Sequence, residues 1–142
     1  MDKDLLDEFL CSEDTFRVFK HDELVFSSKM DRILPLLDYI DHYASHLSGV
    51  TMFDRVVGNA AALLSVKAHC SVVYSPLGSQ LAVETLDKYD IGYHITRTIP
   101  YILKKDISGM CPMEKLSIDK DPDSFYLAIK AFISNPSSLR HI

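Results

Sequence analysis

Residues 55–69 constrain this chain more than any other stretch. Val56, Val57, Ala60, Ala61, Ala62, Leu63, Leu64, Val66 and Ala68 put apolar side chains on nearly every side of a helix. A helix apolar all round must be covered on most sides by other elements. Gly58 and the alanines at 60–62 let neighbouring backbones approach closely, and Asn59 is the polar exception near the start. Asp54 stands where an N-cap belongs, so the helix is expected to begin at about residue 55. Ser71-Val72-Val73-Tyr74 follows at once, a short apolar run of the kind buried inside a parallel sheet. A buried helix leading directly into a buried strand is the centre of an α/β domain.

The flanking segments extend that pattern. Residues 2–10 read as a short acidic helix in an N-terminal appendage (1–14), with a single domain over 15–142. Phe16 and Val18 alternate with Arg17 and Phe19, and Leu24-Val25-Phe26 returns around His21-Asp22, which predicts a hairpin over 15–27. From 33 to 47 the period becomes helical, with Ile33, Leu36, Leu37, Ile40, Tyr43, Ala44 and Leu47 on one face and Pro35 in the first turn. Gly49 leads into an extended stretch at 50–53. Ser75-Pro76-Leu77-Gly78-Ser79 reads as a turn, with Ser79 capping a helix that runs to about Asp90. A strand follows at 93–99. Asp121-Pro122-Asp123 starts a last helix, with Phe125, Ile129, Phe132 and Ile133 facing the core until Asn135-Pro136. This order predicts an α/β fold of three layers (α/β/α) around a mixed, mostly five-stranded sheet.

Composition narrows the function classes. A chain of 142 residues, 47% hydrophobic, buries a core without disulfides or structural metal. The net charge of -5 gives no electrostatic footprint for nucleic acid, and Lys104-Lys105 is too small for a basic patch. No apolar run reaches membrane-spanning length, and Met1-Asp2-Lys3-Asp4 does not open a signal peptide. Cys11, Cys70 and Cys111 form an odd set without Cys-x-x-Cys spacing, which fits reduced thiols in the cytoplasm.

The run Gly109-Met110-Cys111-Pro112-Met113-Glu114-Lys115 places a thiol and a carboxylate at the start of a short helix. Pro112 suits the first helical position, which leaves Cys111 at the N-terminus, where free amides favour a thiolate. Glu114, three residues on, is in reach of the cap. A Cys-Pro turn whose glutamate only caps the helix explains the same residues, and caps far outnumber catalytic cysteines.

Three segments carry a resemblance: Leu34-Pro35-Leu36-Leu37-Asp38, Asp54-Arg55-Val56-Val57-Gly58-Asn59-Ala60-Ala61-Ala62-Leu63-Leu64, and the Cys111 run. With Val73-Tyr74-Ser75-Pro76 they resemble a small prokaryotic family of unknown function with the cytidine-deaminase-like fold, over roughly residues 16–117. Zinc deaminases carry His-x-Glu or Cys-x-Glu at the buried helix and Pro-Cys-x-x-Cys at the next one. Here those positions fall on Asn59-Ala60-Ala61 and Pro76-Leu77-Gly78-Ser79-Gln80, which hold neither the ligands nor the proton-moving glutamate. The resemblance also implies a lysine where this chain has Asn59.

These observations make Cys111 and Glu114 the candidate catalytic pair and Asp54 with Asn59 the candidate ligand-binding floor, with no metal and no cofactor. Cys111 would be nucleophile or contact residue and Glu114 acid, base or orienting group. Plain capping by Asp54 and a buried hydrogen bond by Asn59 are the simpler alternatives. His94 is the weak candidate for a base near Cys111. His69 and Cys70, adjacent on one helix end, point about 100° apart and do not suit one ion. The leading expectation is a cytosolic protein that binds or transforms a nucleotide-like or other small anionic metabolite without zinc. The alternatives are a non-catalytic interaction or homodimerisation module and a zinc-dependent nucleoside deaminase with a site rearranged from Cys70, Cys111, His94 or Glu114.

Overall fold

A computed structural model of the chain describes residues 2–104 and 108–134. The Asn135-Pro136 helix stop and Lys105 lie outside the described residues. The chain opens with helix α1 (Asp2–Cys11), followed by the hairpin β1 (Phe16–Lys20) and β2 (Glu23–Ser28). Helix α2 (Leu34–Tyr43) leads to β3 (Val50–Asp54), the two-residue β4 (Val56–Val57) and helix α3 (Asn59–Lys67). Then come β5 (Cys70–Ser79), α4 (Gln80–Lys88), β6 (Gly92–Ile99), α5 (Pro112–Ser117) and α6 (Pro122–Ser134). The result is a mixed α/β protein. No helix among the described residues is long and apolar enough to cross a membrane.

The six strands form one sheet. β1 pairs antiparallel with β2 on one side and with β3 on the other. β3, β4 and β6 all run parallel to β5, with β3 and β4 on one side of it in succession and β6 joined to it as well. The count of six, against the five read from the sequence, comes from β4, whose Val56 and Val57 align with Leu77 and Gly78.

Two expectations are corrected here. The turn read at 75–79 is instead the second half of β5, a strand of ten residues. Pro76 is tolerated because it falls where the neighbouring strand is itself interrupted: Phe53 aligns with Tyr74 and Val56 with Leu77, leaving Asp54 and Arg55 unaligned with β5 between them. Ser75 Oγ donates to Leu77 O at 2.8 Å and accepts the Leu77 N–H at 3.3 Å, satisfying the backbone around the proline. The helix expected from residue 55 starts at Asn59, with Gly58 as its N-cap in extended backbone. Asp54 therefore ends β3 rather than capping α3, because the β-branched pair Val56-Val57 is drawn into the sheet before the helix begins. Ser79 does cap α4, accepting the Ala82 N–H at 3.0 Å.

Strand alternation sorts the buried side chains into two clusters. Val18, Met52 and Val73 face the larger one, with α2, α3, α4, α5 and α6. Phe19, Phe53 and Tyr74 face the other side, where α1 inserts Phe9, fully buried, edge-on to Phe53 at 6.1 Å. The acidic N-terminal helix is thus docked through one aromatic anchor.

Candidate functional site

A cavity of about 470 Å3 opens where β3, β5 and β6 end and α3 begins. Ligands of open α/β sheets bind at this carboxyl end of the parallel strands. Asp54 at the end of β3, Leu77 in β5 and Ile99 in β6 contribute to the wall. Ala60 and Ala61 in the first turn of α3, together with Ile102, Leu103, Cys111 and Met113, supply further walls. The small side chains of Ala60 and Ala61 leave room where larger ones would fill it.

Asp54 is half-buried and lines this cavity. Burial pushes its carboxyl from 3.8 to about 7, opposed by the backbone N–H groups of Arg55 and Val56, which donate to it. A carboxyl balanced near neutrality can hold or release a proton under ordinary conditions, which is what general acid–base work requires.

Two arginines reach the same wall and differ completely in their engagement. The Arg55 guanidinium closes over the end of α1: Nε donates to Asp14 O at 3.0 Å, Nη2 to Phe9 O at 3.0 Å and Ser12 O at 2.7 Å, and Nη1 to Leu10 O at 3.4 Å. It also lies over the Phe9 ring at 4.8 Å. Cations are favoured at a helix C-terminus, and this one is engaged there through four hydrogen bonds. Arg32 is half-buried, lies in the turn before α2 with φ at 62°, and makes no hydrogen bond or ion pair among the described residues. A guanidinium has five N–H donors in a planar fork suited to carboxylate or phosphate. Sequence reasoning missed Arg32, a lone arginine in a polar turn with no periodicity or motif to mark it.

Glu114 behaves as a clamp. It is 1% exposed. Oε1 accepts the Asn59 N–H at 2.5 Å and Oε2 accepts the Ile102 N–H at 2.6 Å. The carboxylate expected to serve its own helix thus caps α3 instead, satisfying its first N–H and meeting the positive end of its dipole. Gly58 makes this approach feasible, since a Cβ there would sit 3.1 Å from Glu114 Oε1 and 2.9 Å from Ile102 Cγ1. Asn59 does not line the cavity. Its Nδ2 donates to Ser117 Oγ at 3.0 Å and Ser117 O at 3.3 Å, and its Oδ1 accepts from Thr85 Oγ1. It ties α3 to α5 and α4, the role of a satisfied buried amide.

Cys111 occupies the N-cap position of α5, as the Cys-Pro pattern predicts, and lines the cavity while 4% exposed. Its N–H donates to Ile102 O at 2.7 Å, which holds the 102–104 segment against it. The structure therefore brings Cys111, Glu114 and Asp54 to one cavity and turns Asn59 away. His94 belongs elsewhere: its ring stacks on Tyr74 at 4.6 Å, on the sheet face that carries Phe53. At the positions where the resemblance would place zinc ligands, Asn59 is engaged by Ser117 and Thr85, Leu77 has no donor, and Gln80 is an exposed amide in the first turn of α4. No three His, Cys, Asp or Glu side chains converge on a metal position among the described residues. That donor set does not fit a zinc ion.

Fold and cavity together define a mixed α/β protein with a half-open chamber at the carboxyl ends of its parallel strands. The chain belongs to the family described as a domain of unknown function, DUF1893, which matches residues 6–133. The crystal structure of the DUF1893-family protein TM1506 from Thermotoga maritima is similar in fold, with a TM-score of 0.82 at 24% identity, covering 91% of this chain and 87% of that one. No curated protein matches the chain.

Proposed function

We propose that the chain binds a small anionic metabolite in this cavity, with Arg32 as the anion contact and Asp54 as the group that exchanges a proton with it. The observation that carries the reading is half-buried Arg32 on an otherwise largely apolar wall, its guanidinium without a partner among the described residues. A guanidinium on a cavity wall with no partner among the described residues offers its fork of N–H donors to an anion that enters. A volume of about 470 Å3 falls in the range of small-molecule sites. Cys111 supplies a polarizable wall contact and Glu114 fixes the frame. Zinc has no part in this reading. The cytidine-deaminase-like reading of the fold goes with it, supported by a leading antiparallel hairpin followed by parallel strands around the buried α3.

Native mass spectrometry of freshly purified full chain tests this directly and reads the assembly state at the same time. A co-purified small acid, displaced from the Arg32→Gln variant, is the expected result. Stoichiometric zinc, or equal retention of the acid by Arg32→Gln, would overturn it.

A further inference from the structure

The chemistry of the cavity wall narrows the ligand class within that reading. Among the described residues the lining contains no aromatic ring, so a nucleobase would find no stacking platform. No asparagine or glutamine amide lies on the wall either, so the hydrogen-bonding edge of a base would go largely unread. The wall instead offers aliphatic and thioether surface from Leu77, Ile99, Ile102 and Met113, above a floor of Ala60 and Ala61. At the mouth, Val56 is 40% and Leu103 38% exposed, so the apolar surface continues outward from the chamber.

Charge argues in the same direction. Arg55 is held by the carbonyls that end α1, which leaves Arg32 as the one uncommitted cation on the wall among the described residues. The carboxyl groups of Asp31, Asp54 and Glu114 share that wall. A diphosphate or triphosphate would bring more negative charge than a single guanidinium neutralises, in the company of acidic neighbours. A carboxylate matches one guanidinium fork with two parallel hydrogen bonds. We infer that the ligand is a monocarboxylic acid with a saturated hydrocarbon body, its carboxylate on Arg32 and its hydrocarbon against Leu77, Ile99, Ile102 and Met113. The inference rests on the proposed anion site and specifies what that site selects.

Calorimetric titration of the full chain with straight-chain carboxylates from butanoate to decanoate, the matching primary alcohols and amines, and adenosine monophosphate tests it. Affinity is expected to rise about fourfold per added methylene until the chain reaches the mouth. Each carboxylate should bind at least about tenfold tighter than the amine of equal length. Arg32→Gln should remove that preference, lowering carboxylate affinity by about tenfold and alcohol affinity by far less. The chain-length series on the unaltered protein gives its answer even if the variant does not fold. Adenosine monophosphate binding in the cavity more tightly than octanoate would overturn the monocarboxylate inference and leave the anion site standing. Failure of every anion to bind would overturn both.

Discussion

Replacing Asp54 by asparagine should change how stability depends on pH, and the sign follows from the direction of its shift. Burial holds the folded-state carboxyl at about 7 against 3.8 for the ordinary group. Between those values the unfolded chain has lost the proton and the folded chain keeps it. Rising pH therefore removes stability from the native chain across this window, and the loss is complete only above the folded-state value. A difference of about 3 pH units corresponds to at most about 4 kcal/mol at about 1.4 kcal/mol per unit. Asp54 opens on the cavity, whose water screens the charge, so about 2 kcal/mol is the expected size. Asparagine cannot ionise and retains an oxygen for one of the two N–H donors. Asp31, Arg32, Arg55, Cys111 and Glu114 share the same wall and are common to both chains. Asp41 and Asp121, whose carboxyls are held below the usual range by Lys130 and Tyr126 and by Ser124 respectively, weaken both chains alike in acid. Urea denaturation of the two proteins from pH 4 to pH 8 isolates the term as a difference. The Asp54→Asn chain should gain about 2 kcal/mol relative to the native chain over that range, or about 6 °C in melting temperature at this length. Parallel stability curves would refute the reasoning, as would a relative loss by the variant at high pH.

Other positions give sharper structural tests. Glu114→Ala leaves the N–H groups of Asn59 and Ile102 without their acceptor and should cost roughly 2–5 kcal/mol in urea denaturation; a loss under about 0.5 kcal/mol would deny the clamp. Gly58→Ala forces a methyl group into Ile102 and Glu114, and should destabilise the chain and quicken hydrogen exchange at the Asn59 amide. Unchanged exchange at that amide would show that the contact yields without cost. Phe9→Ala should cost about 3–5 kcal/mol if α1 is an integral layer of packing, and almost nothing if it is a loose appendage. Ser79→Ala should remove about 1 kcal/mol through loss of the α4 cap, measured by the same denaturation.

Much of the architecture was written in local patterns. The alternation at 16–19, the apolar helix before Ser71-Val72-Val73-Tyr74, the Ser79 cap and the Asp-Pro start of α6 are short-range signals, and the structure has each of them. The errors lie where tertiary pairing overrides local propensity. Ser75-Pro76-Leu77-Gly78 has turn composition, yet it continues a strand because the partner strand breaks opposite the proline. Asp54 has the form of an N-cap, yet sheet pairing of Val56-Val57 delays the helix to Asn59. The site divides in the same way. Cys111 and Asp54 both reach the cavity from positions with helix-start signatures, which the structure bears out for Cys111 and replaces by a strand end for Asp54. The long-range contact from Glu114 to the Asn59 amide, 55 residues apart, has no local trace. Arg32 is legible only when the turn before α2 is placed beside β3 and α3 in space.

The central claim is that Arg32 is the anion contact of a ligand chamber. Solution NMR of the arginine side chains, with uniformly labelled chain titrated with octanoate and separately with inorganic phosphate, tests it most directly. The account predicts that the Arg32 Nε–H signal moves first and furthest and saturates. Arg55, held by the carbonyls at the end of α1, and Arg17, on β1, held by Asp14 and outside the cavity lining, should stay in place. Equal small shifts at every arginine, or saturation at Arg17 with Arg32 unmoved, would contradict it.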